Sequence, residues 1–134
     1  DPKVVAAGTR RLARWPHVRF VQGDMHELPF DDESFDRVFL LNALTYSQHP
    51  RQALREATRV LRPGGRVVLS TLERHEHEDV VSDYDHHPPG FSVATLRANI
   101  RKAGLTCRTL SVTHRETKAP GFSIIIGLAE KESP

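Results

Sequence analysis

Apolar positions along this chain recur with two different periods. Val4, Val5, Leu12 and Trp15 fall on one side of a helix, with Asp1-Pro2 as cap and first-turn proline and Pro16 as the stop. The pattern therefore predicts an opening helix with a buried side. Val18 to Gln22 is a short extended run ending at Gly23-Asp24, and Asp36 to Leu41 is a nearly continuous apolar run of the kind buried on both faces of a sheet. Both are predicted to be parallel strands. Leu28-Pro29-Phe30 and Asp31 to Ser34, between them, mix apolar anchors with turn formers and predict an exposed connection.

Helical spacing returns at Pro50, where Ala53, Leu54, Ala57, Val60 and Leu61 share a face, and Arg62-Pro63-Gly64-Gly65 ends it. Arg66 to Thr71 reads as another buried strand, and Glu73 to Gly90 as a long polar excursion rich in acidic residues and histidine. Ser92 caps a third helix containing Leu96, Ile100 and Ala103 and closed by Gly104; strands follow at Leu105 to His114 and Phe122 to Ala129. About seven residues join those last two strands, whereas a parallel crossover needs roughly a dozen, so the pair is predicted to be an antiparallel hairpin. The alternation as a whole predicts an α/β fold: a Rossmann-like, mostly parallel sheet with helices on its faces and a C-terminal antiparallel hairpin. The segment from Glu130 to Pro134 is a short tail.

Composition sharpens this picture modestly. At 134 residues, 38% hydrophobic and 27% charged, the chain suits one domain with a real core. Its formal net charge is +2, with basic and acidic residues interspersed, so no direct nucleic-acid contact is expected. The single Cys107 excludes an internal disulfide, and no apolar stretch approaches the roughly 18 residues of a membrane-spanning helix. A cytoplasmic setting without membrane contact is expected. The chain opens on Asp1 directly into helical pattern, and it is read as cut from something longer.

In open α/β sheets ligands lie beyond the carboxyl ends of the strands, so Gly23-Asp24-Met25, Leu41-Asn42-Ala43 and Thr71-Leu72-Glu73 are predicted to define one crevice. Three segments around it, VRFVQGDMHELPF (Val18 to Phe30), FDRVFLLNALTYSQHP (Phe35 to Pro50) and RVLRPGGRVVLS (Arg59 to Ser70), resemble successive signature segments of class I S-adenosylmethionine-dependent methyltransferases. Pro-Gly-Gly turns and Gly-Asp pairs are common singly; their order and spacing make the signal specific. The resemblance is close from Val18 to Ser70 and architectural elsewhere, and it makes residues 1–134 a partial domain of that class.

The resemblance implies S-adenosylmethionine as cofactor and a small-molecule acceptor. It places Asp24 as acceptor for the adenine amino group, which suits a carboxylate, and the backbone N–H of Met25 on a ring nitrogen. Asp24 as a simple turn cap is the alternative. It sets the main chain of Leu41 and Asn42 along the methionine end, with Tyr46 either near the methyl group or packing as a half-buried ring. His26 and Glu27 are expected to be solvated turn residues, and Pro63-Gly64-Gly65 to be structural. In-line methyl transfer needs alignment more than a catalytic dyad; where a base is required, His49, His75 or His77 has suitable chemistry.

Departures from the family pattern matter as well. Its first strand and glycine-rich loop have no counterpart, since Gly8 lies inside a helical pattern, so the first strands of the fold are expected to be missing and the exposed sheet edges to favour a homodimer. Asp1 stands near the position of the ribose-binding acid, but Asp followed by Pro reads more as the cap of the first helix. His75-Glu76-His77-Glu78-Asp79 with His86-His87 has plausible metal-ligand types without specific spacing, so no metal is assigned. His75-x-His77, Tyr84, His86, Gly90-Phe91, Ala103-Gly104-Leu105 and Thr113 to Pro120 resemble methyltransferase-like domains fused behind winged-helix ArsR-type regulators. That resemblance implies the alternative of a non-catalytic cofactor-sensing or dimerisation module.

Overall fold

The first helix, α1 (Pro2–Arg11), begins as its sequence requires: the Asp1 side chain accepts from the Lys3 N–H at 2.8 Å. A computed structural model of the chain describes residues 1–74, 90–118 and 121–134. The predicted buried side of α1 is absent, and Val4 and Trp15 are exposed. What α1 meets is Phe20, whose ring lies where a Cβ on Gly8 would fall, 2.6 Å away.

Residues 18–22, predicted as a strand, form none; the local pairing is a single bridge between Asp24 and Glu27. A strand persists only when its N–H and C=O groups find a ladder, and no strand among the described residues pairs with this segment. Val18, Phe20 and Val21 are accordingly left exposed.

The sheet comprises β1 (Phe35–Leu41), β2 (Leu61–Leu72), β3 (Thr106–Arg115) and β4 (Ser123–Glu130), in the order β1-β2-β4-β3. β1 and β2 are parallel, and β4 is antiparallel to both of its neighbours, β2 and β3. Three strands therefore run one way and β4 alone is reversed, which is the predicted mostly parallel sheet with a terminal hairpin. The prediction did not extend to the insertion of β4 between β2 and β3.

A 3-10 turn (Leu44–Tyr46) and α2 (Pro50–Val60) connect β1 to β2, and α3 (Val93–Lys102) precedes β3. The buried faces of α2 and α3, with Leu54, Ala57, Leu96 and Ile100, close over Leu40, Leu69 and Ile125 of the sheet in one core. Helices were expected on both faces, and β1 was expected to be buried on both. Instead Phe39 and Leu41 are 61% and 65% exposed, because the side of the sheet opposite the core is left uncovered among the described residues. No helix among the described residues is long and apolar enough to cross a membrane.

Arg62-Pro63-Gly64-Gly65 lies within β2 and not in a separate turn. The pairing moves from Phe35↔Leu61 to Arg37↔Arg66, so the extra residues form a bulge. Gly64 has φ +80°, and a Cβ on Gly65 would fall 2.8 Å from the Arg62 carbonyl oxygen, so both positions need glycine. Carbonyls at the junction of α2 and β2 are met from the chain's far end, where Lys131 Nζ donates to Thr58 O at 3.0 Å and Leu61 O at 2.8 Å.

Ser92 caps α3 as predicted, its Oγ accepting from Thr95 N–H at 3.1 Å. Ser92→Ala is expected to cost about 1 kcal/mol by leaving that amide without its acceptor. Urea unfolding would show this as a lower midpoint at constant slope; an unchanged midpoint would mean that water replaces the cap without loss.

Candidate active site

β1 and β2 are parallel and end together, so the segments that follow them share one edge of the sheet. Asn42, directly after β1, has φ +54° and donates its N–H to Ser70 O at 2.8 Å. Asparagine tolerates this left-handed conformation better than most residues, and it turns the chain away from the sheet. Thr45 anchors the turn that follows. Fully buried, its Oγ1 lies 2.9 Å from Thr71 Oγ1 and 3.3 Å from Asn42 Oδ1, and Leu72 N–H reaches it at 3.4 Å. The ends of β1 and β2 are thereby held together by hydroxyl contacts.

Asp24 is tied to this edge through His26, a side chain that the sequence pattern places in solvent. Asp24 Oδ1 accepts from His26 N–H at 2.8 Å and lies 2.6 Å from His26 Nδ1; His26 Nε2 lies 2.6 Å from Ser47 Oγ. His26 is thus a half-buried bridge, which corrects the expectation of a solvated turn residue, while Glu27 is exposed as expected. The His26 backbone N–H, and after it the ring, hold the Asp24 carboxyl below its usual range, so it is ionised at neutral pH.

Both of these contacts use Oδ1, and no hydrogen bond among the described residues engages Asp24 Oδ2 or the Met25 N–H. One acceptor and one donor of this turn are therefore without a hydrogen bond to the described residues. Met25 is half-buried and its side chain packs against the core, which fixes the backbone there. Leu41 and Asn42 lie at the carboxyl end of β1 with exposed side chains. Asp1 is engaged as the cap of α1. Tyr46 is 44% exposed at the end of the 3-10 turn.

Asp24, His26 and Ser47 stand in the order of a nucleophile relay. The Ser47 side chain is fully buried, however, and a hydroxyl with no access to substrate cannot attack one. The arrangement can orient a carboxylate and does not constitute a hydrolytic centre. Thr45 and Ser47 gave no signal in the sequence beyond their small polar character; their role depends on β2 and residue 26 arriving from elsewhere.

His49 precedes α2, with its ring edge-on to His26 at 6.0 Å between centroids. It lines a cleft of about 450 Å³ together with Arg51, Arg55 and Asn99. Arg51 Nε donates to the buried Asn99 Oδ1 at 3.2 Å, and neither arginine has a carboxylate partner among the described residues. His75, His77, His86 and His87 lie outside the described residues, and no metal-ligating cluster occurs among those described.

Fold and edge together define a Rossmann-like α/β domain with an ionised carboxylate, Asp24, tied to the edge where β1 and β2 end. Residues 1–69 match the family model described as a methyltransferase domain, and the chain belongs to that family. It is 47% identical over 66 residues to the demethylmenaquinone methyltransferase of Clavibacter sepedonicus, covering 49% of this chain and 27% of that protein. It is 54% identical over 63 residues to a phthiotriol/phenolphthiotriol dimycocerosates methyltransferase of Mycobacterium tuberculosis, covering 47% and 23% respectively. The chain thus spans about a quarter of the length of these curated relatives. Among solved structures, it superposes on a putative methyltransferase from Bacillus halodurans with a TM-score of 0.80 at 19% identity, covering 99% of this chain and 80% of the other. A geranyl diphosphate methyltransferase in complex with SAM gives 0.81 at 15% identity, covering 98% and 66%. At such identities the shared feature is the fold.

Proposed function

We propose that residues 1–134 form part of a class I methyltransferase domain that binds S-adenosylmethionine and transfers its methyl group to a small-molecule acceptor. The observation that carries this reading is the pair of unengaged groups on the Asp24-Met25 turn. Adenine presents an amino donor beside a ring-nitrogen acceptor, and Asp24 Oδ2 beside Met25 N–H is the complementary pair. The Leu41-Asn42 main chain shapes the neighbouring wall at the end of β1, with the left-handed turn at Asn42 taking the chain out of the cofactor's path. The ribose role of Asp1 rests on the resemblance alone, its Oδ1 being engaged in capping α1.

When bound, the cofactor supplies an already activated sulfonium methyl, so the protein's work is alignment. Asp24 and Met25 would hold the base, and Thr45 keeps the ends of β1 and β2 in register. His49 is available at the rim as a base for an acceptor that must lose a proton. The regulator alternative is supported by residue resemblance between positions 75 and 120, of which 75–89 and 119–120 lie outside the described residues; the relatives named for this chain are methyltransferases.

Calorimetric titration of S-adenosylhomocysteine into the full-length protein tests the reading. Asp24→Ala is expected to weaken binding about 10–100-fold, the usual worth of a hydrogen bond to a charged acceptor. Unchanged affinity in a folded variant would overturn the adenine assignment.

A further inference from the structure

The chain of contacts behind Asp24 runs through the His26 ring to Ser47. Ser47 Oγ accepts the His49 N–H at 3.1 Å and lies 2.6 Å from His26 Nε2. An ionised carboxylate only accepts, so in the 2.6 Å contact between His26 Nδ1 and Asp24 Oδ1 the hydrogen sits on Nδ1. Gln52 Nε2, on α2, donates to the His26 carbonyl at 3.2 Å, so the histidine is held by its backbone as well as by both ring nitrogens.

The side chain receiving this support is itself 67% exposed. A short exposed carboxylate at a turn samples several rotamers, and an unbiased one presents either oxygen to a ligand. His26 removes that freedom: with Oδ1 tied twice, Oδ2 is the oxygen left for a ligand, on the turn that also carries the Met25 N–H. We propose that His26, braced on buried Ser47, is a positioning residue that orients Asp24 to distinguish a 6-amino purine from a 6-oxo purine in the nucleoside ligand. This rests on the adenine reading of Asp24. The link also runs from the Asp24 turn to the segment after β1, so both walls of the site share one support.

The experiment compares the affinities of the full-length protein for S-adenosylhomocysteine and S-inosylhomocysteine, whose 6-oxo group replaces the amino donor. The native protein is expected to prefer the adenosyl ligand by about 10–100-fold. His26→Phe keeps a ring of similar size without either nitrogen and is expected to reduce that preference to a few-fold. His26→Asn retains a donor near the Nδ1 position and is expected to recover most of it, which a packing role would not allow.

Preference lost in His26→Phe and recovered in His26→Asn supports the assignment. Full preference in a folded His26→Phe, with preference lost in Asp24→Ala, overturns it and leaves the adenine reading standing. No preference in the native protein, or full preference in Asp24→Ala, overturns the adenine reading and the positioning role with it. If His26→Phe does not fold, Ser47→Ala decides: a preference reduced severalfold supports the brace and an unchanged one refutes it.

Discussion

Leu69→Ala is expected to lower the unfolding free energy by about 3–4 kcal/mol, because it empties a site at the centre of the sheet that nothing nearby can refill. Leu69 is fully buried on β2, paired with Leu40 on β1 and Gly127 on β4. Its side chain fills the space that Gly127 leaves open: a Cβ on that glycine would fall 3.4 Å from Leu69 Cδ1 and 2.7 Å from Leu110 Cδ1. Two leucines thus pack over one bare stretch of backbone. Sheet hydrogen bonds hold that backbone on both sides, so the void left by alanine cannot close by local collapse. Urea unfolding with an unchanged slope and a strongly lowered midpoint would show the cavity cost. A loss below about 1 kcal/mol would mean that the neighbouring side chains do refill the site.

The second large effect concerns the connection between the Asp24 turn and β1. Glu56 is buried on α2; its Oε1 accepts from Arg59 Nε at 2.8 Å, and its Oε2 from Arg59 Nη2 at 2.9 Å and Leu28 N–H at 2.7 Å. Arg59 in turn donates to Leu28 O, Phe30 O and Asp32 Oδ1. One ion pair therefore staples residues 28–32 to the helix, just beyond the Asp24 turn. Glu56→Ala is expected to cost about 2 kcal/mol, because it strands the Leu28 amide and removes the partner that aligns Arg59.

The same pair predicts an acid dependence. Hydrogen bonding from Arg59, reinforced by Leu28 N–H and opposed by burial, holds the Glu56 carboxyl below its ordinary value of 4.5. A folded-state value below the unfolded one gives stability that is fully present above pH 4.5 and is lost as the pH falls through the folded value. The stability difference between the native protein and Glu56→Gln is therefore expected to be constant near neutrality and to shrink below about pH 4.5. Denaturant midpoints at several pH values would reveal this; a difference that does not vary with pH would show that the glutamate's charge contributes nothing.

Local chemistry was legible wherever the determinants lie within a turn or two of one another. Asp1-Pro2 and Ser92 mark helix starts because a cap and its amide are two or three residues apart. Ala53, Leu54 and Ala57 mark the buried face of α2 because helical periodicity is written directly into spacing. The short link after β3 forced a reversed β4 because so few residues cannot cross a sheet. The placement of Asp24, Met25, Leu41 and Asn42 as a candidate site came from resemblance, and strand ends supplied its location.

Tertiary structure alone decided the rest, since each remaining feature joins residues remote in sequence. Residues 18–22 have strand composition and no strand, because a ladder requires a partner that no local pattern supplies. Phe39 and Leu41 are as apolar as buried residues and yet exposed, because burial depends on what covers the sheet and not on the strand itself. His26 has the local character of a polar turn residue, and only the arrival of Ser47, 21 positions away, turns its ring into a brace. Glu56 gives no local sign of its burial, which Leu28 and Arg59 impose together. Periodicity and capping are short-range and belong to the sequence; strand partners, covered faces and the bracing of Asp24 arise from long-range contacts that exist only once the chain has folded.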